Sequence, residues 1–160
     1  MVIFILLVLA FAAFAQMPRS VQDGVYTQEQ ADRGKAAYAE QCASCHGAGL
    51  NGGQETPALT GGAFLVKWQN RSVNELFESI RVSMPADRPG SLSRQKYSDI
   101  LAYVLAANKF PAGSAELGTQ SEALKQISFQ TRRASGAQTA STGPATAGTR
   151  PLSNASNAAQ

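Results

Sequence analysis

The chain has 160 residues and a formal net charge of +3, and Arg132, Arg133 and Arg150, which have no acid nearby, account for all of that excess. Residues 27–110 hold nine basic and eight acidic groups, a balance that excludes the concentrated basic face needed for nucleic-acid binding. The whole chain contains two cysteines and one histidine, which excludes a zinc site built from four protein ligands in two spaced pairs.

Val2 to Phe14 is an unbroken apolar run followed by Ala13-Phe14-Ala15, a small-x-small pattern. It reads as a secretory signal peptide over 1–15, cleaved after Ala15. The run is shorter than the about 20 apolar residues that span a bilayer. A signal peptide ordinarily begins with Lys or Arg, and Met1-Val2-Ile3 has neither. Either the start lies upstream or the run stays uncleaved as a short anchor, and only in that second case does the chain touch a membrane. Residues 16–26 form a lead-in with Pro18 and Gly24.

The first predicted helix opens at Thr27-Gln28-Glu29-Gln30, a capping-box pattern, and runs to about Gln41. Gly34 and Tyr38 lie four apart on one of its faces. An interior glycine costs roughly 1 kcal/mol against alanine, so close approach of a second helix is expected there.

The helix delivers the chain into Cys42-Ala43-Ser44-Cys45-His46, which uses all the cysteine and histidine present. C-x-x-C-H is the attachment signature of c-type haem: two thiols add to the porphyrin vinyl groups and the adjacent imidazole becomes the proximal iron ligand. A redox C-x-x-C would need thioredoxin-like βαβ surroundings, whereas the flanks read as helix and Gly-rich loop. A disulfide across two residues is compatible with an oxidising compartment but leaves His46 without a role.

From Gly47 to Gly62 the chain carries six glycines and no helical pattern, and reads as loop. A second helix opens with the capping box Ser72-Val73-Asn74-Glu75, sets Val73, Leu76, Phe77 and Ile80 on one side, and stops before Met84-Pro85. A third starts near Ser93 with an apolar stripe of Tyr97, Ile100, Leu101, Val104 and Leu105, and closes at Asn108 before Pro111. No convincing strand appears. Residues 112–160 are rich in Ala, Gly, Ser, Thr and Gln and read as a low-complexity tail, disordered beyond 131; Ser121 to Phe129 could add one short helix. The compact part, residues 27–111, is an all-α domain whose core is marginal at that size, so the haem-free chain is expected to be largely unfolded.

In this order, a helix with Gly34 and Tyr38, C-x-x-C-H, a Gly-rich loop with Pro57-Ala58-Leu59, a Met-Pro pair and a last helix reading Asp99-Ile100-Leu101-Ala102-Tyr103-Val104 resemble a class I cytochrome c. The resemblance covers about 27–110. The stretch Met84 to Ser93 is also similar to small exported bacterial cytochromes that accompany pyrroloquinoline-quinone dehydrogenases. It implies three main helices around one haem c, held through Cys42 and Cys45 with His46 as metal ligand. It also implies a first and a last helix that meet at a Gly/aromatic contact, setting Gly34 and Tyr38 against Leu101 or Tyr103.

Bis-histidine ligation is excluded by counting, and Met1 and Met17 lie outside the domain, which leaves Met84. The family places its distal ligand on this same Met-Pro element; a plain gap-filling role in the core is the alternative. The resemblance further implies that the Pro57 carbonyl accepts the proximal histidine's Nδ1–H, with an ordinary loop proline as the alternative. Trp68 and Arg71 follow the loop, and either could reach a haem propionate; Trp68 equally suits the core, and Tyr97 reads as core.

Met/His ligation raises the reduction potential and fills the coordination sphere, so electron transfer, not substrate activation, is expected. The chain thus reads as a monomeric, periplasmic carrier of single electrons from a dehydrogenase toward a terminal oxidase or other cytochrome, and not as an enzyme. A haem enzyme or gas sensor with labile Met84 ligation remains open. So does a subunit permanently docked on a quinoprotein dehydrogenase. Residues 27–66 are mildly acidic and 67–96 mildly basic, a dipole that can orient a redox partner or be ordinary solvated surface.

Overall fold

A computed structural model describes residues 18–130; the expected signal peptide, the Met17 position and the tail from 131 onward lie outside the described residues. Six α-helices in chain order form the body: α1 (Gln28–Gln41), α2 (Ala43–His46), α3 (Gly61–Trp68), α4 (Val73–Ser83), α5 (Arg94–Ala107) and α6 (Ser121–Lys125). Among the described residues no helix is long and apolar enough to cross a membrane. The architecture is the mostly helical cytochrome c fold.

The three long helices begin where local chemistry dictates. The Thr27 hydroxyl accepts from Gln30 N–H at 3.1 Å, and Ser93 Oγ accepts from Lys96 N–H at 3.2 Å. Ser72 forms a full capping box, with Glu75 N–H donating to Ser72 Oγ at 3.3 Å and Ser72 N–H to Glu75 Oε2 at 2.8 Å. Each cap satisfies an orphan amide of a first turn.

α1 packs most closely on α5. Gly34 sits against the Asp99 carbonyl and the Tyr103 Cβ so tightly that a methyl group at Gly34 would overlap that carbonyl. Tyr38 and Tyr103 lie beside it with ring centroids 5.4 Å apart, tilted by 57°. Asp99 and Tyr103 are thus the partners at the closest points. Gly34→Ala is expected to force the two helices apart and destabilise the protein by about 2 kcal/mol, because overpacking against backbone outweighs the helix propensity gained; urea unfolding measures it.

Gln30 departs from its expected capping-box role. Its side chain is fully buried; Nε2 donates to the Leu117 carbonyl at 3.0 Å and Oε1 accepts from Leu117 N–H at 2.7 Å. The Thr-x-x-Gln spacing is the same either way, and only a segment 87 residues on distinguishes them.

That segment also moves the edge of the folded body well past 111. Leu117, Leu124, Ile127 and Phe129 are buried, and the backbone between them is held by Ser98 Oγ on Leu117 O at 2.7 Å and Arg94 Nη2 on Thr119 O at 2.6 Å. Four well-spaced apolar residues make no periodic signal, yet each fills a ready-made hole. Two-residue strands β1 (Arg19–Ser20) and β2 (Ile127–Ser128) pair in parallel, joining the lead-in, whose Val21, Val25 and Tyr26 are also buried. Strands of that length leave no pattern to read. α3 was likewise unexpected, since it opens with the poor helix formers Gly61 and Gly62.

Candidate haem site

The Cys42–His46 segment is a single helical turn set off from α1 by a break at Cys42 (φ −132°, ψ −31°). Cys45 N–H and His46 N–H both donate to the Cys42 carbonyl, at 3.2 and 2.9 Å. Residues three and four apart on a helix share a face, so both thiols and the imidazole are presented together. Cys42 is half-buried and Cys45 exposed, and both are free. Burial, with Cys45 adding to it, pushes the Cys42 thiol up to about 11. The Tyr38 hydroxyl donates to the Gly47 carbonyl at 2.7 Å and fastens the end of the turn to α1.

His46 is buried, at 7 % exposure, and its Nδ1 lies 3.0 Å from the Pro57 carbonyl. A carbonyl only accepts, so Nδ1 carries a proton, and in the neutral ring that tautomer presents the lone pair at Nε2, as a ligating histidine requires. The loop folds back to reach this position. Gly52 N–H donates to the His46 carbonyl at 2.9 Å, with Gly52 at φ +71° and so close to Thr56 O and the Pro57 backbone that no side chain fits.

Met84 caps α4, its N–H donating to Ile80 O at 2.8 Å. Its carbonyl accepts from the Tyr97 hydroxyl at 2.7 Å. Cys42, Cys45, His46, Pro57, Trp68 and Met84 all line one cleft of about 430 Å³, whose walls include Leu59, Phe64, Leu76, Ile80, Ile100 and Val104.

Arg71 is not among the lining residues. Its guanidinium stacks 4.7 Å over the Trp68 ring and Nε pairs with Glu75 Oε1 at 3.0 Å, so its charge is engaged outside the cleft. Trp68 is 4 % exposed and packs against Phe64 and Phe129, each at a centroid distance of 6.4 Å. Phe129 is a support that sequence reasoning missed, as is Arg88, which lines the cleft and donates to Gln41 Oε1 at 2.7 Å. Their partners lie tens of residues away, beyond the reach of any local pattern.

The arrangement fits a haem. An apolar slot suits a flat macrocycle, thiols stand at its edge, and an oriented imidazole and a thioether border it. Among the described residues, no three His, Cys, Asp or Glu side chains cluster as a bare-ion site.

Residues 29–104 match the family described as cytochrome C oxidase, cbb3-type, subunit III. No curated protein matches the chain. Among solved structures, the crystal structure of the sulfane dehydrogenase SoxCD from Paracoccus pantotrophus is similar at 22% sequence identity and a TM-score of 0.47. That similarity covers 66% of this chain and 60% of that one, so the chain spans less than two thirds of that protein. With the C-x-x-C-H turn on the rim of an apolar cleft, the matched stretch is a class I c-type cytochrome domain, of the kind that transfers electrons through a covalently bound haem.

Proposed function

We propose that this chain is a periplasmic, monomeric, single-haem electron carrier, taking electrons from a dehydrogenase and passing them toward a terminal oxidase or another cytochrome. The haem supplies a one-electron Fe(III)/Fe(II) couple. Cys42 and Cys45 would hold it by thioethers, with His46 Nε2 and the Met84 sulfur as the protein ligands to its iron. The Pro57 carbonyl keeps the imidazole in the ligating tautomer and strengthens it as a donor. Trp68 offers an indole N–H for a propionate, whereas Arg71, turned to Glu75, takes no part. A single C-x-x-C-H supports one haem on this chain, and the apolar run ending at Ala15 supports export with cleavage there.

The observation that carries this reading is that His46, with Nδ1 bonded to Pro57, and Met84 border one apolar cleft. Two protein ligands leave no open coordination position, which favours outer-sphere electron transfer over binding and activating small molecules. The test is the absorption spectrum of protein produced with a cytochrome c maturation system. A low-spin haem, thioether-linked, that takes up carbon monoxide only slowly when reduced at neutral pH is expected. Rapid carbon monoxide uptake would instead favour the haem enzyme or gas sensor.

A further inference from the structure

The two loops that carry the ligand candidates are tied to opposite ends of one helix, and each tie is a buried or partly buried side chain bonded to loop backbone. At the first turn of α5, the Tyr97 hydroxyl donates to the Met84 carbonyl at 2.7 Å, with Tyr97 at 1 % exposure. Since Met84 N–H is already bonded to Ile80 O, both backbone groups of Met84 are held. At the other end, Asn108 caps α5 and spends its whole amide on the proximal loop and its own helix. Nδ2 donates to Leu59 O at 2.9 Å and to Val104 O at 2.8 Å, while Oδ1 accepts from Gly61 N–H at 3.1 Å. Leu59 is two residues from Pro57, whose carbonyl orients His46. Leu59 N–H is bonded in turn to Leu50 O at 2.8 Å, so the staple fixes the loop on both sides.

Eleven residue steps of helix separate the two ties, about 16 Å at the α-helical rise. Ile100, Leu101, Val104 and Leu105 are buried along it, and the Gly34 contact clamps it to α1. Loops are mobile unless tied, whereas a helix so packed is rigid along its length.

We propose that α5 is a two-ended brace that sets the separation of the two axial-ligand loops. Tyr97 is the positioning residue for Met84, and Asn108 the positioning residue for His46 through the Pro57 loop. The inference rests on the reading of Met84 as distal ligand. A thioether is a weak donor to iron, so its occupancy depends on being held in place, and loss of one hydrogen bond of ordinary strength frees the ligand about threefold to tenfold more often.

The test is a double dissociation on the full-length holoprotein. Tyr97→Phe keeps the ring and removes only the donor; Asn108→Ala removes the proximal staple. Two readouts are followed: the ferric iron–thioether charge-transfer band together with the rate of carbon monoxide uptake by the reduced protein, and solvent exchange of the His46 Nδ1 proton by NMR. Y97F is expected to raise carbon monoxide uptake about threefold to tenfold and to leave Nδ1–H exchange unchanged. N108A is expected to do the reverse, with exchange accelerated by a similar factor. Should N108A not fold, Asn108→Asp keeps the acceptor for Gly61 and removes the donors, giving the same comparison. Both variants moving both readouts equally, or neither variant moving either, overturns the brace while the band in the wild type keeps Met84 as ligand. Absence of the band from the wild type overturns the ligand reading and the brace with it.

Discussion

A variant with Cys42 and Cys45 both replaced by alanine is expected to leave a maturation-competent host colourless and without a cooperative fold. The reason lies in the walls of the cleft. Leu59, Phe64, Leu76, Ile80, Ile100 and Val104 border an open slot of about 430 Å³; the protein alone already buries Phe64, Leu76, Ile100 and Val104, so without the macrocycle the loss falls on the contacts across the slot and on the half-buried Leu59 and Ile80. Domains of this size hold a net stability of about 5–15 kcal/mol. Leaving Leu59 and Ile80 without their cover, at roughly 1.5–3 kcal/mol for a side chain fully exposed, and losing the contacts across the slot takes a large part of it. Circular dichroism during urea titration checks the prediction: a gradual slope replaces a transition. A sharp unfolding transition in the haem-free variant would mean that the α1–α5 pair, with Gly34 on Asp99 and Tyr38 on Tyr103, suffices by itself. Haem that stays with this variant through acid-acetone extraction would contradict thioether attachment.

What the sequence disclosed and what it concealed divide along chain distance. Thr27, Ser72 and Ser93 announce the starts of α1, α4 and α5 because a cap bonds to an amide two or three residues on. The C-x-x-C-H turn is visible for the same reason. Gly34 signalled a close approach by its cost in a helix, although not which atom approached; that proved to be the Asp99 carbonyl. The structure also sets His46 Nδ1 on Pro57 O at 3.0 Å, a pairing that the family resemblance implied and that spacing alone would not have.

The features that stayed hidden are those whose meaning lies in a distant partner. Gln30 looked like a cap and is a buried clamp for Leu117, 87 residues away. Residues 112–130 looked like tail because their composition is that of a linker, apart from a short helix expected within 121–129 and found at Ser121–Lys125; Leu117, Leu124, Ile127 and Phe129 are buried and their backbone finds side-chain partners. Arg71 was set toward a propionate by its place just after the loop; its guanidinium lies over the Trp68 ring and pairs with Glu75 at i+4, partners that the reading did not name. Tyr97 read as core and is core, with a hydroxyl that has a second job on Met84 O. A helical stripe reports which residues are buried and says nothing about what their polar ends meet.

Met84→Ala separates a ligand from a filler, because the two roles respond along different axes. Met84 is only half-buried, so truncation should cost less than the about 2–5 kcal/mol typical of a fully buried methionine, and the Tyr97 bond, made to the backbone carbonyl, survives it. Were Met84 a gap-filler, that modest loss of stability would be the whole effect, and the spectrum and potential would stand. As the distal ligand, its thioether stabilises Fe(II) relative to Fe(III); removing it is expected to lower the reduction potential, abolish the ferric iron–thioether band and open the reduced protein to carbon monoxide. Redox titration beside a urea melt reads both axes on one preparation. A potential that falls while the melt barely moves assigns the sulfur to the iron, and a potential that holds while the melt shifts assigns it to the core. The carrier reading depends on the first result, since an iron without that sulfur is free to bind what an electron carrier must exclude.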